Sequence, residues 1–122
     1  MPKSARVLVV EDDEDIRSAL VECLSLEGYD VSSAADGREG LDRLADGPAP
    51  RAVLLDVNMP VLDGPTALES MRANPAWAGI PVILASADPL VSSLGSEHFL
   101  RKPFTLDQLM EKLENVLEQG RN

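Results

Sequence analysis

Short continuous apolar runs alternate with stretches of helical periodicity from one end of the chain to the other. Val7-Leu8-Val9-Val10, Ala52-Val53-Leu54-Leu55 and Val82-Ile83-Leu84-Ala85 carry no polar residue at alternate positions, the pattern of strands covered on both faces. Tyr29 to Ser33 and Phe99 to Arg101 are weaker strand candidates, expected nearer the sheet edges. Between the first two strands, Ile16, Ala19, Leu20, Cys23 and Leu24 recur at helical spacing, with Gly28 placed to close the helix. Leu106, Leu109, Met110, Leu113 and Leu117 mark the last helix, opened by Thr105 as N-cap and closed near Gly120. Leu41 and Leu44 predict a shorter helix after Asp36-Gly37, and Leu68 and Met71 predict one from near Pro65 to before Pro75. Residues 88–97 contain Pro89, Ser92, Ser93, Gly95 and Ser96, which are poor helix formers, so helix four is expected to be shortened or irregular.

Five such strand-helix units with short connections imply right-handed crossovers and an α/β, doubly wound parallel sheet. Periodicity alone does not order the strands. No linker, repeat or low-complexity tract interrupts the pattern, so residues 1–122 are expected to form a single domain with its core at about 6–119. In sheets of this kind ligands gather at the carboxyl ends of the strands, which directs attention to the residues just after each apolar run.

Composition narrows the function classes. The aromatic share of 3% means that the core must be built from aliphatic side chains, which suit a covered sheet. A formal charge of −10 repels a phosphodiester backbone, and no Lys/Arg cluster breaks the acidic background, so neither direct nucleic-acid binding nor attraction to an anionic membrane is expected. No apolar run is long enough to span a bilayer, and Met1-Pro2-Lys3-Ser4 lacks the apolar stretch of a signal peptide; the expectation is a cytoplasmic protein. The single Cys23 cannot form an internal disulfide and is expected to be a small buried filler. His98, with no motif around it, is expected at the surface.

After the first strand comes Glu11-Asp12-Asp13, after the third Asp56-Val57-Asn58-Met59-Pro60, after the fourth Ser86-Ala87-Asp88, and after the fifth Lys102-Pro103-Phe104. Singly, acids and Ser at strand ends are also common helix caps and turn formers. Together they bring acids, a hydroxyl and an ammonium to one edge. Crowded carboxylates raise one another's pKa unless a cation compensates. Oxygen donors of this kind suit Mg²⁺, which is usually held by one or two carboxylates plus a phosphate. A hydroxyl and a Lys are what a phosphorylated carboxylate needs as donor and counter-charge.

The ordered segments Val9-Val10-Glu11-Asp12-Asp13, Leu54-Leu55-Asp56-Val57-Asn58-Met59-Pro60, Asp63-Gly64, Pro81-Val82-Ile83-Leu84-Ala85-Ser86-Ala87 and Lys102-Pro103-Phe104 resemble the response-regulator receiver family, from Arg6 to Gln119. The resemblance implies the flavodoxin-like strand order 2-1-3-4-5. It implies that Asp56 is the phosphoacceptor of a two-component phosphorelay, taking its phosphoryl group from a histidine kinase or histidine phosphotransfer protein. Asp12 and Asp56 would then ligate Mg²⁺ (or Mn²⁺), the Asn58 backbone carbonyl would complete the protein ligands, and Glu11 would act through a bound water. Lys102 would pair with Asp56 and then with a phosphoryl oxygen, while Ser86 bonds another. Ser86 and Phe99 would form the switch, Asn58 and Asp88 would tune dephosphorylation toward a short-lived phosphate, and Gly64 and Pro103 would be structural, with Lys102-Pro103 cis.

Two residues depart from the commonest family pattern: Glu11 stands where Asp is frequent, and Ser86 where Thr is. A shortened helix four puts dimerisation through its face in doubt, so the unphosphorylated chain is expected to be a monomer. The sequence stops at Gly120-Arg121-Asn122, so the expectation is either that a downstream protein target supplies the output or that a larger parent was trimmed. The resemblance implies a signalling phosphoacceptor that promotes its own phosphorylation and dephosphorylation, not an enzyme with a separate substrate. Two other readings are a receiver that docks partners without phosphorylation, and a Mg²⁺ phosphatase. The second lacks the further acid expected two residues after its nucleophile, where the chain has Asn58.

Overall fold

The computed structural model describes residues 5–57, 64–87 and 98–119. Five strands, β1 (Arg6–Val10), β2 (Asp30–Ala34), β3 (Ala52–Asp56), β4 (Val82–Ser86) and β5 (His98–Arg101), pair in parallel in the order β2-β1-β3-β4-β5. Four described helices join them: α1 (Glu14–Leu26), α2 (Gly37–Ala45), α3 (Gly64–Ala73) and α4 (Leu106–Gln119). The order agrees with the one the family resemblance implied, and it puts the two weaker strand candidates at the edges. The expected shortened helix within 88–97 lies outside the described residues, and α4 is therefore the C-terminal helix.

The central strands separate two apolar layers with a period of two. Leu8, Val10, Val53, Leu55, Val82 and Leu84 join Leu44 of α2 and Leu68 and Met71 of α3. Val7, Val9, Ala52, Leu54, Ile83 and Ala85 join Leu24 of α1 and Leu109, Leu113 and Val116 of α4. Both faces are thus covered, which is why these runs contain no polar alternation.

Helix starts are set by side-chain caps at the carboxyl edge. Asp13 accepts from the Ile16 N–H at 3.1 Å and Asp36 from the Glu39 N–H at 2.8 Å. At α4 the Thr105 hydroxyl accepts from the Gln108 N–H at 3.1 Å while Gln108 Oε1 accepts from the Thr105 N–H at 2.9 Å, a reciprocal capping box. Gly28 follows the Glu27 C-cap of α1 with φ of 99°, a left-handed conformation that glycine adopts without penalty.

Some expectations about individual side chains are corrected. Ile16 and Ala19, assigned to the buried stripe of α1, are exposed, Ile16 to 42%. Ile16 lies in the first turn of α1 and Leu106 is the first residue of α4, and both are exposed where their helices begin. Cys23 is half-buried, not enclosed, because Leu24 alone of the α1 residues is fully buried. His98 is half-buried at the start of edge strand β5. Among the described residues no helix is long and apolar enough to cross a membrane.

Candidate functional site

Parallel register brings the chemistry together. Val10 of β1 lies opposite Leu55 of β3, so the next residues, Glu11 and Asp56, reach the rim at one level. Asp56 is paired with Ala85 and Ser86 with Arg101, so Ser86 arrives one step further along the strand direction and Lys102 two. The ladders run slightly past the strands: the Glu11 N–H donates to the Ala34 carbonyl at 3.0 Å, the Val57 N–H to Ala85 at 3.1 Å, and the Lys102 N–H to Ser86 at 2.9 Å. Backbone bonds therefore fix the base of each side chain.

Glu11 and Asp56 are buried, at 4% and 6% exposure, while Asp12 is exposed. One carboxylate oxygen from each of the three lies within 4.8 Å of the others. Lys102 Nζ donates to Asp56 Oδ1 at 2.7 Å and to Glu11 Oε1 at 3.1 Å, and the Asp13 N–H donates to Glu11 Oε2 at 3.1 Å. Burial pushes the Asp56 carboxyl above the ordinary carboxylate range despite the Lys102 ammonium, and Asp12 adds to the rise. Glu11 is also raised by burial, against the Asp13 N–H, which favours its ionised form. For Lys102 burial acts downward, but Asp56 and then Glu11 outweigh it and raise the ammonium's pKa.

Three carboxylates facing one ammonium leave two negative charges uncompensated when all are ionised. Hard oxygen donors at this spacing fit a small divalent cation. Both Glu11 oxygens already accept protein hydrogen bonds and Asp56 Oδ1 accepts from Lys102, which leaves the exposed Asp12 as the carboxylate most open to direct ligation.

Of the other residues singled out from sequence, Ser86 is buried at the end of β4. Phe99 is half-buried and packs on the α2–α3 side of the sheet, in register with Leu84. Lys102-Pro103 is a cis peptide bond, and Gly64 is the first residue of α3. Asn58 and Asp88 lie outside the described residues. Two features were missed: the Glu11–Lys102 ion pair, and Arg17, whose Nη1 donates to the Glu11 carbonyl at 2.9 Å. The position of Arg17 was the available signal, since a cation in the first helical turn runs against the dipole preference that Glu14 and Asp15 satisfy.

Comparison with known proteins agrees with this architecture. A family model described as "Response regulator receiver domain" matches residues 7–114. The transcriptional regulatory protein PrrA of Mycobacterium leprae is 41% identical over 120 residues, which cover 95% of this chain and 51% of PrrA; the chain thus spans about half the length of that relative. Among solved structures, the chemotaxis protein CheY4 of Vibrio cholerae superposes with a TM-score of 0.84 at 30% identity, covering 92% of this chain and 98% of CheY4. The response regulator TrrA of Thermotoga maritima, solved in complex with Mg²⁺-BeF, gives 0.81 at 31% identity, covering 92% of this chain and 98% of TrrA.

Proposed function

Because the chain belongs to the response regulator receiver domain family, we propose that Asp56 accepts a phosphoryl group and that the new charge alters protein contacts. The donor is a histidine kinase or a histidine phosphotransfer protein, and the recipient of the signal is a downstream protein. The observation that carries the reading is the buried Asp56 carboxylate held 2.7 Å from Lys102 Nζ beside the acids Glu11 and Asp12.

An Asp56 oxygen attacks the phosphorus of the phosphoimidazole in line. The P–N bond breaks, its electron pair stays on the imidazole, and Asp56 becomes an acyl phosphate. Positioning and charge supply most of the assistance in such transfers. Lys102 is already at the reacting carboxylate and passes from Asp56 to a phosphoryl oxygen as charge moves outward. The Ser86 hydroxyl donates to a second phosphoryl oxygen. Asp12, Asp56 and the Asn58 carbonyl are the groups that would hold Mg²⁺, or Mn²⁺ with the same preference for oxygen, and Glu11 would reach it through water. When bound, the cation supplies the positive charge that the cluster lacks and that incoming phosphoryl oxygens require. Asn58 and Asp88 favour hydrolytic water and a short-lived phosphate, and Phe99 with Ser86 couples the site to the β5 surface. Residues 1–122 act as one domain, monomeric before phosphorylation and cytoplasmic, promoting its own phosphorylation and dephosphorylation without a separate substrate.

Incubation with acetyl phosphate and Mg²⁺ followed by intact mass measurement tests the reading. Wild type gains one phosphoryl group and Asp56→Asn gains none. An adduct that persists in Asp56→Asn, or a wild type that takes up phosphate from neither acetyl phosphate nor a phosphohistidine donor, overturns it in favour of a docking module without phosphotransfer.

A further inference from the structure

We infer that Arg17 is a positioning residue for the metal-binding carboxylates: by holding the Glu11 carbonyl it fixes the peptide plane from which Asp12 enters the site. The inference rests on the receiver reading and adds a residue to it.

Glu11 is tied down by four groups, and they do different things. Its N–H bonds Ala34 and extends the β1–β2 ladder. Its two carboxylate oxygens accept from Lys102 and from the Asp13 N–H. Its carbonyl accepts from Arg17 Nη1 at 2.9 Å. The Glu11 carbonyl belongs to the rigid plane that also contains the Asp12 N–H and Cα, so holding that carbonyl fixes where the Asp12 Cα sits and leaves φ as the one backbone rotation that aims its side chain. Asp12 itself is exposed, and among the described residues its carboxylate takes part in no hydrogen bond or ion pair that would orient it. Its place within 4.8 Å of the Glu11 and Asp56 oxygens therefore depends on the backbone beneath it.

Arg17 adopts this arrangement at a cost. It lies in the first turn of α1, where the helix dipole disfavours a cation, and a long side chain loses rotamer freedom when one end is fixed. The helix does not need it: the Arg17 N–H already makes the opening bond to the Asp13 carbonyl at 2.8 Å, and Asp13 caps the Ile16 N–H. What the guanidinium adds is a charge-assisted bond to the one Glu11 group that the strand, Lys102 and Asp13 leave over.

The sign of the response separates positioning from simple charge. A guanidinium near a divalent cation repels it, so a residue acting only through charge weakens metal binding, and its removal tightens it. A residue acting through geometry does the reverse. In calorimetric titration with MgCl₂, Arg17→Met is expected to raise the Kd for Mg²⁺ roughly tenfold or more, the range seen when groups that orient metal ligands are lost. Arg17→Lys, which keeps a charged donor on a shorter arm, is expected to lose less. Acetyl phosphate reactions should show the same split: slower than wild type at low Mg²⁺, restored at saturating Mg²⁺, since the acceptor and Lys102 are untouched. Thermal melting of the metal-free proteins verifies the fold; should Arg17→Met fail to fold, Arg17→Lys carries the test with the same sign. A variant that folds and binds Mg²⁺ as tightly as wild type, or more tightly, overturns the inference and leaves the receiver reading standing. Wild type that shows no uptake of Mg²⁺ removes the phosphotransfer reading itself, an outcome visible without any variant.

Discussion

Leu55 and Asp56 are neighbours on β3, both buried, and burial does opposite things to them. Leu55 closes a layer with Val10, Leu84 and the side chains of α2 and α3, where removing an aliphatic chain from water contributes about 1.5–3 kcal/mol. Asp56 is taken from water into a cluster where its ionised form is disfavoured, with one ammonium shared between it and Glu11. The same boundary recurs between Val10 and Glu11 and between Ala85 and Ser86. The strand interiors hold the molecule together, and their last residues spend part of that stability on chemistry. The arrangement works because the parallel sheet delivers all its carboxyl ends to one rim.

The largest effect on this contrast is expected in the interior. Leu84 is 1% exposed in the middle of β4, and Leu84→Ala is expected to lower unfolding stability in urea by about 2–5 kcal/mol, the usual cost of truncation plus cavity. A loss under about 1 kcal/mol would mean that the layer between the sheet and α2–α3 is not close-packed.

A smaller effect is expected where the interior meets the rim. A Cβ built on Gly40 of α2 would lie 3.1 Å from Val10 Cγ2, on the residue just before Glu11. Val10 is pinned between β2 and β3 and has little room to yield. Overpacking costs about 1–3 kcal/mol, while alanine in place of glycine in a helix returns about 1 kcal/mol. Gly40→Ala is therefore expected to be net destabilising by about 1 kcal/mol, and a stabilised variant by thermal melting would show that α2 and β1 approach less closely than this.

The two regions were also unequally legible in the sequence. The interior strands announce themselves because they are covered on both faces, so that no polar residue interrupts them. Thr105 and Asp36 mark helix starts because capping is a local matter between a side chain and the next turn. Residues at the rim were legible as a group, since a parallel sheet puts the ends of its strands side by side. Their pairing was not. The Glu11–Lys102 contact joins residues 91 apart in the chain, and nothing in the spacing tells which acid the ammonium takes. The exposure of the start of α1 was equally hidden: helical periodicity assigns Ile16 to the apolar face but does not say how much of that face is covered.

The smallest expected effect has the opposite sign, and pH exposes its cause. In the metal-free protein Asp56→Asn should be more stable than wild type at neutral pH by roughly 0.5–1 kcal/mol, because one of three clustered carboxylates is replaced by a neutral group that still accepts from Lys102. Burial raises the folded-state pKa of Asp56, so folding favours its protonated form. Its contribution to stability is complete below the unfolded carboxylate pKa and is lost as pH rises through the raised folded value. The amide of the Asp56→Asn variant does not titrate and undergoes no such loss. The gap between the two proteins should consequently be near zero in acid, open as pH climbs past the carboxylate range, and then stay level through neutrality, where Lys102 remains charged because its own pKa is raised. Saturating Mg²⁺ should narrow or invert the gap, since a cation held by Asp12 and Asp56 stabilises the folded wild type by mass action. Chemical unfolding curves across this pH range, with and without Mg²⁺, read every step. If Asp56→Asn were less stable than wild type at neutral pH without metal, the Lys102 pairing would outweigh burial of the carboxylate, and the last residue of β3 would belong with the interior it adjoins.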